Sequence, residues 1–311
     1  LGGMQIERRR PIGSGVARSI LLGGSSTPPP RSSWPDIPGF ELTGWLGEGA
    51  QAKVFVAKRS EVGELGAPIA LKVGLLTDRT RFEREVELMM RARSPYLLTA
   101  LSHGIIEGFA PLFWIEMPLM GGHSLADVGE VSLEEGVSLC VDVIQGLKAL
   151  HEQGVAHRDL KPSNVLLTTT GEVKLADFGL SKKMEDAGAS ITATGTVVGS
   201  PAYMSPEAIN GERIGRATDV WALGVLLCEV LAGHLPFPGS VAGQVWAAIL
   251  RDPPQLDGVP KWLETGIKKC LTKDVNQRPK DAQQLQQILE VPLRGYLQEQ
   301  VQKRVEKAER L

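Results

Sequence analysis

The sequence predicts an α+β fold in two lobes, and three observations point to it. Short strand-type runs crowd together after Phe40, one helical segment interrupts them, and beyond "MGGHSL" the chain turns mostly helical. At 311 residues with 42% hydrophobic content, the chain is long enough for two lobes. Its formal net charge of -2 argues against general attraction to nucleic acid or to an anionic membrane.

The elements can be justified in order. The first 35 residues or so ("ERRRPIGSGVARSILLGGSSTPPPRSSWP") are rich in Gly, Ser, Pro and Arg and read as a flexible leader, 1–35, unable to bury enough apolar surface to order itself. Arg8, Arg9 and Arg10 read as a solvated charge run, with a docking patch or a substrate-like site as the alternatives. The main domain is assigned to 36–290, with an N-lobe of about 36–118 and a C-lobe of about 121–290.

"FELTGWL", "AKVFVAK" and "PIALKV" read as strands. In the third, alternation puts Ala70 and Lys72 on one face and Ile69, Leu71 and Val73 on the other. A helix is expected from Arg79 to about Arg91, with Phe82, Val86 and Met89 as its apolar stripe. Glu85 falls on that stripe, which makes it the natural partner for the Lys72 ammonium among apolar strand residues. Strand-type runs near "LTALSHGII" and "PLFWIEM" follow, then helices from "SLEEGVSLCVDVIQGLKALHEQG" to "DAQQLQQILE".

No stretch has the length and freedom from charge of a membrane span, and none reads as a secretory signal peptide. "VWALGVLLCEVLAG", Val220 to Gly233, is too short, contains Glu229 and reads as a buried core helix. Cys140, Cys228 and Cys270 form no CxxC pair and read as buried reduced thiols of a cytosol-like compartment. At 291–311, Leu297, Val301 and Val305 recur four apart, beside Glu299–Lys303 and Glu306–Arg310. An amphipathic C-terminal helix is expected there.

The chemistry concentrates in "HRDLKPSNVLLTTTGEVKLADFG", residues 157–179. "VLL" and "VKLA", joined by the turn-rich "TTTGE", read as a β-hairpin. A hairpin brings its open ends together, so Asn164 and Asp177 are expected side by side. An amide oxygen and a carboxylate without His or Cys suit a hard cation such as magnesium shared with phosphate oxygens. Asp159 lies five residues before Asn164, within reach of the same point, and Lys161 adds a positive charge. Together they supply what phosphoryl transfer needs: a carboxylate for the attacking hydroxyl, metal ligands, and a cation for developing charge.

With these residues in place, the sequence resembles the eukaryotic-type serine/threonine protein kinases over roughly residues 40–290. His157-Arg158-Asp159 and Asp177-Phe178-Gly179 match the family's catalytic-loop and metal-binding triplets. The resemblance implies the bilobal protein kinase fold, a small antiparallel-sheet N-lobe with one major helix and a larger helical C-lobe. It also implies ATP and Mg2+ as cofactors. Asp159 is then the catalytic base, Lys161 lies at the γ-phosphate, Asn164 and Asp177 bind the metal, and Lys72 holds the α- and β-phosphates, itself held by Glu85.

In the same light "LGEGAQAKV" becomes an ATP grip formed by Leu46, Gly47, Glu48, Gly49, Ala50, Gln51, Ala52 and Val54, with Ala70 on the next strand. Gly47 and Gly49 let the backbone approach phosphate closely, while Ala52 stands where the family pattern has glycine and adds modest bulk. "IEMPLMGGHSL" resembles the connector that meets adenine. One register gives Met117 the gating position and assigns the base to the Pro118 carbonyl and Met120 amide; another centres on Ile115 and Glu116.

Lys161 in "HRDLKPSN" and Ser200 in "GSPAYMSPE" favour Ser/Thr acceptors. Glu207 resembles the glutamate that pairs with a distant arginine, here Arg278, and Asp219 the carboxylate that supports the catalytic loop. Thr196, with Thr194 and Thr192 as runners-up, is the expected activation-loop phosphosite, with Arg158 as a cation for the phosphate. The implied partners are protein substrates with Ser/Thr acceptors, plus an upstream activating kinase or a second copy acting in trans. No nucleic acid and no membrane span enter this reading, and the expected location is cytoplasmic. Two other readings are a kinase-fold signalling scaffold with little chemistry and a small-molecule kinase. Intact Lys72, Asp159 and Asp177 weigh against the first, and the "SPE" segment with Arg278 against the second.

Overall fold

Strand alternation, helix caps and glycine-permitted close packing build two units, seen in a computed structural model that describes residues 28–48, 52–60, 66–178 and 201–309. One unit comprises 28–129 and 162–178 of these residues, the other 130–161 and 201–309.

The first unit is built on a five-stranded antiparallel sheet of order β1-β2-β3-β5-β4. Its strands are β1 (Phe40–Glu48), β2 (Ala52–Arg59), β3 (Ile69–Leu75), β4 (Ser102–Ile106) and β5 (Leu112–Pro118). Alternation sends Phe55, Ala57, Ile69, Leu71 and Val73 to one face, where they form a cluster with Ile37. Trp34 packs edge-on against Phe55 at 5.3 Å. Its Nε1 donates to the Pro29 carbonyl, and Arg31 donates from Nη2 to the Thr43 carbonyl. Of the leader assigned to 1–35, residues 28–35 are described, with Trp34 half-buried against the sheet.

Helix α1 (Arg79–Arg91) starts where the Asp78 side chain accepts from the Arg81 N–H at 3.0 Å, and it buries Phe82, Val86 and Met89 as its spacing predicts. The same unit holds the hairpin of β6 (Val165–Leu167) and β7 (Val173–Leu175). Chain 96–98 pairs with this ribbon: the Leu175 N–H donates to the Tyr96 carbonyl and the Leu98 N–H to the Leu175 carbonyl, each at 2.8 Å.

The second unit is helical: α2 (Leu133–Glu152), α3 (Pro206–Ile209), α4 (Arg216–Ala232), α5 (Ala242–Arg251), α6 (Lys261–Cys270) and α7 (Ala282–Glu309). Ser132 and Glu135 form a reciprocal capping box at the start of α2. Helix α4 is buried from Thr218 to Cys228 and ends at Gly233, whose φ of 75° is the left-handed conformation that glycine allows. It approaches α6 closely because Gly224 has no side chain: a Cβ there would lie 2.5 Å from Cys270 Cβ.

All three cysteines are buried free thiols. Burial raises the Cys140 thiol pKa and pushes Cys228 and Cys270 up to about 12, so none is poised as a thiolate. The expected C-terminal helix does not begin at 291. It continues α7 without a break through Pro292, which forfeits one backbone hydrogen bond, and Tyr296 stacks on Trp262 at 4.9 Å. Among the described residues no helix is long and apolar enough to cross a membrane.

Candidate active site

Within the first unit the hairpin does what its sequence requires. Its open end is closed by a 2.9 Å hydrogen bond from the Ala176 N–H to the Asn164 carbonyl, which sets buried Asn164 beside the residue preceding Asp177. Asp177 has a φ of 57°, an uncommon left-handed conformation that turns its carboxylate out of the strand line. Asp177 Oδ1 meets Lys72 Nζ at 2.6 Å, joining the ribbon to β3.

Lys72 is buried to 7% exposure and lies across β2 from Val54, with Ala70 opposite Val56 on one side and Met117 on the other. Directly opposed residues in an antiparallel ladder share a face, so Ala52, Val54, Ala70, Lys72, Ile115 and Met117 line one surface. Among the described residues, no three of His, Cys, Asp and Glu cluster to hold a metal by themselves. The set available here is one amide oxygen, one carboxylate and an ammonium. That chemistry fits a hard cation whose other ligands are phosphate and water oxygens.

Two expectations at this surface are corrected. Lys72 pairs with Asp177, whereas Glu85 pairs with Arg81 one helical turn earlier, Nε to Oε1 at 2.6 Å; no ion pair joins Lys72 to Glu85 among the described residues. The physical reason is competition: a guanidinium at i-4 on the same helix already neutralises Glu85. The connector register centred on Ile115 and Glu116 also conflicts with the ladder. The Glu116 carbonyl accepts from the Leu101 N–H, and its buried carboxylate faces away from Lys72 to accept from Arg59 and from the Ser102 hydroxyl. Burial raises the Glu116 pKa, but those hydrogen bonds and the Arg59 charge outweigh it and leave the group below the usual carboxylate range. Strand β5 therefore runs to Pro118, with Met120 just beyond.

Sequence reasoning passed over Gly122, whose neighbours show what it does. A Cβ there would lie 1.7 Å from the Leu167 carbonyl oxygen, so the connector can lie on β6 only as glycine. Beside it the Leu167 N–H donates to the His123 carbonyl at 2.7 Å. The "GG" of "MGGHSL" was the available signal.

The loop that carries His157, Arg158 and Asp159 belongs to the second unit, and a single carboxylate shapes it. Asp219, near the start of α4 and 1% exposed, accepts from the His157 N–H at 2.7 Å and the Arg158 N–H at 2.6 Å. Arg158 has a φ of 68°, so a non-glycine residue is held in the left-handed region directly before Asp159. Asp219 Oδ2 also meets His151 Nε2 at 2.9 Å. The backbone N–H of Ala282 donates to His151 Nδ1 at 3.1 Å, so Nε2 is the nitrogen that donates to the Asp219 carboxylate. His151 was also passed over, since a histidine near a helix end carries no distinctive pattern. Asp159 Oδ2 accepts from Lys161 Nζ at 2.8 Å.

Of the remaining expected residues, Leu46, Gly47 and Glu48 end β1, where Gly47 opposes Val54 and Glu48 opposes Lys53. Gly49, Ala50 and Gln51 lie outside the described residues, as do Gly179, Thr192, Thr194, Thr196 and Ser200. Glu207 and Arg278 meet in a two-pronged pair at 2.8 and 3.0 Å, both almost fully buried, and Thr218 donates to the same carboxylate at 2.9 Å. Burial raises the Glu207 pKa, but the Arg278 hydrogen bonds and charge prevail and hold it below its ordinary value.

A β3 lysine paired to the aspartate of a hairpin, and a strained loop carrying His-Arg-Asp, define the protein kinase fold. The sequence profile of the protein kinase domain family matches residues 40–292, and the chain belongs to that family. It is 30% identical over 259 residues to the serine/threonine-protein kinase PknB of Mycobacterium tuberculosis, covering 79% of this chain and 41% of that protein. It is 31% identical over 271 residues to a probable serine/threonine-protein kinase of Streptomyces coelicolor, covering 82% and 40%. Identity to the serine/threonine-protein kinase AfsK of the same organism is 34% over 251 residues, covering 78% and 30%. The aligned part of the chain thus spans less than half the length of these relatives.

Proposed function

We propose that this chain is an active serine/threonine protein kinase that moves the γ-phosphoryl group of ATP to Ser or Thr hydroxyls of protein substrates. The observation that supports it most is the 2.6 Å pair of buried Lys72 with Asp177, at the end of a hairpin that also carries Asn164. In this reading Asn164 and Asp177 hold magnesium, which when bound neutralises charge on the phosphates. Lys72 fixes the α- and β-phosphates, and Ala52, Val54 and Ala70 face the nucleotide from the sheet, with residues 46–51 over the phosphates. The Pro118 carbonyl and Met120 amide meet adenine. Asp159 accepts the proton of the attacking hydroxyl, and Lys161 offsets charge on the γ-phosphate. The bond from phosphorus to the β,γ-bridging oxygen breaks as the new P–O bond forms, and ADP leaves.

Phosphorylation in the loop at Thr196, Thr194 or Thr192, by an upstream kinase or by a second copy, raises activity, with Arg158 next to the base as the cation for that phosphate. A cytoplasmic location belongs to the same reading, since ATP is the phosphoryl donor.

The test is phosphate transfer from labelled ATP with magnesium to a generic basic protein. Asp159→Asn is expected to lower the rate by orders of magnitude, about 10²-fold or more. Equal turnover by that variant refutes the role of Asp159. Label appearing only on sugars or amines points to a small-molecule kinase, and no transfer at all points to a binding scaffold.

A further inference from the structure

Glu116 is a carboxylate where strand alternation calls for an apolar side chain. It opposes Leu71 of β3 and so shares the outer face of the sheet with Phe55 and Ile69, away from Lys72 and Met117. At 2% exposure it is buried, and a paired charge in such a place adds little stability over an aliphatic side chain. What it can add is a defined position. Arg59, at the end of β2, donates from Nε to Oε1 at 3.0 Å and from Nη2 to Oε2 at 2.6 Å, and the Ser102 hydroxyl of β4 donates to Oε2. The guanidinium reaches past β3, which lies between β2 and β5, so one carboxylate ties three strands together.

The clamp sits where the backbone holds β5 least. Glu116 is the last residue of β5 paired with β4, opposite Ser102, and its carbonyl takes the Leu101 N–H at 2.8 Å. Beyond it, Met117 and Pro118 pair with β3 alone, through Ala70 and Ile69, and Pro118 has no N–H to give to that ladder. We infer that Arg59, Glu116 and Ser102 are positioning residues for the nucleobase: their clamp on the outer face fixes the end of β5, so that Met117, the Pro118 carbonyl and the Met120 amide keep their places around adenine. This inference rests on the nucleotide reading above and adds the residues that hold the connector. Among the described residues the charged group facing Glu116 is Arg59, since β4 presents the neutral Ser102 and β3 the apolar Leu71. Without that cation, burial pushes the carboxyl upward.

The experiment is isothermal titration of the full chain with magnesium and non-hydrolysable analogues of ATP and GTP. It is run at about pH 6 and about pH 8, either side of the raised value expected for a buried carboxyl that has lost its cation. Arg59→Gln is the first variant, because that side chain is 51% exposed. At the higher pH it binds the ATP analogue about tenfold more weakly than wild type, as a misplaced contact group would cause. The GTP analogue, held mainly by its phosphates, weakens far less, so discrimination between the bases falls. At the lower pH the stranded Glu116 takes up a proton and no longer needs a cation, and the ratio of variant to wild-type affinity returns toward one. Arg59→Lys keeps the charge, drops one prong and falls between. Glu116→Gln weakens the ATP analogue by a factor that does not change with pH. Unchanged ATP-analogue affinity in Arg59→Gln and Glu116→Gln overturns the inference. Equal weakening of both nucleotides at both pH values also overturns it, since that reports a general loosening of the sheet. A wild-type chain that binds neither nucleotide overturns the nucleotide reading and the inference with it.

Discussion

Asp219 shows how one side chain sets the loop before Asp159 from a distance in sequence. Its carboxylate accepts two backbone N–H groups and one imidazole N–H, and those bonds hold Arg158 in a conformation costing about 1–3 kcal/mol for a residue with a Cβ. Asp219→Ala takes the acceptor from the buried His157 N–H, at about 1–3 kcal/mol, and from the half-buried Arg158 N–H at a smaller cost. The expected outcome is a lower melting temperature together with a turnover loss larger than stability explains, read from kcat at a temperature where the variant is fully folded. His151→Gln keeps a side-chain N–H within reach of Asp219 and is expected to lose far less than His151→Leu in a urea titration.

At the scale of elements, the hairpin of β6 and β7 and the connector at Gly122 act together. Their contact leaves no room for a methyl group: the nearest neighbours of an added Cβ are backbone atoms of Leu167 and Thr168, which cannot swing aside as a side chain does. Gly122→Ala is expected to destabilise the chain by about 1–3 kcal/mol or more, as overpacking does, and to raise KM for ATP, since Met120 and Asn164 both lie on the displaced segments. Gly121→Ala is the matched comparison, because its added Cβ meets only the Thr169 Cγ2 methyl, at 3.0 Å. Denaturant midpoints for the two variants decide it, and equal midpoints refute the steric account.

For the whole molecule, the buried Glu207–Arg278 pair ties α3 to the chain just before α7 within the helical unit. Removing one partner strands the other charge, so Arg278→Met is expected to cost about 3–5 kcal/mol. The pair also sets a pH dependence. The Glu207 carboxyl is depressed in the folded chain, so its contribution is fully present above the unfolded glutamate value of about 4.3. That contribution is lost as pH falls through the lower folded value. Unfolding followed by calorimetry below about pH 4.5 is expected to show a melting temperature that falls steeply with acid, and Arg278→Met to show a shallower fall from a lower start.

Much of this was legible in the residues themselves. Periodicity is local, so α1, the hairpin, the buried α4 and the strand faces around Lys72 follow from spacing, and short motifs nominate Asp159, Asn164 and Asp177 for the roles proposed above. The limits appear wherever several partners of the same charge compete. Glu85 has two cations to choose between and Lys72 two carboxylates, and spacing along the chain cannot rank distances across a sheet. Trp34 against the sheet, Gly122 against Leu167, and His151 between Ala282 and Asp219 likewise depend on contacts between residues far apart in sequence. Local pattern decides which elements form, because it reflects one residue's relation to its near neighbours. Tertiary structure alone decides which charges meet, because Coulomb and hydrogen-bond energies depend on separation in space.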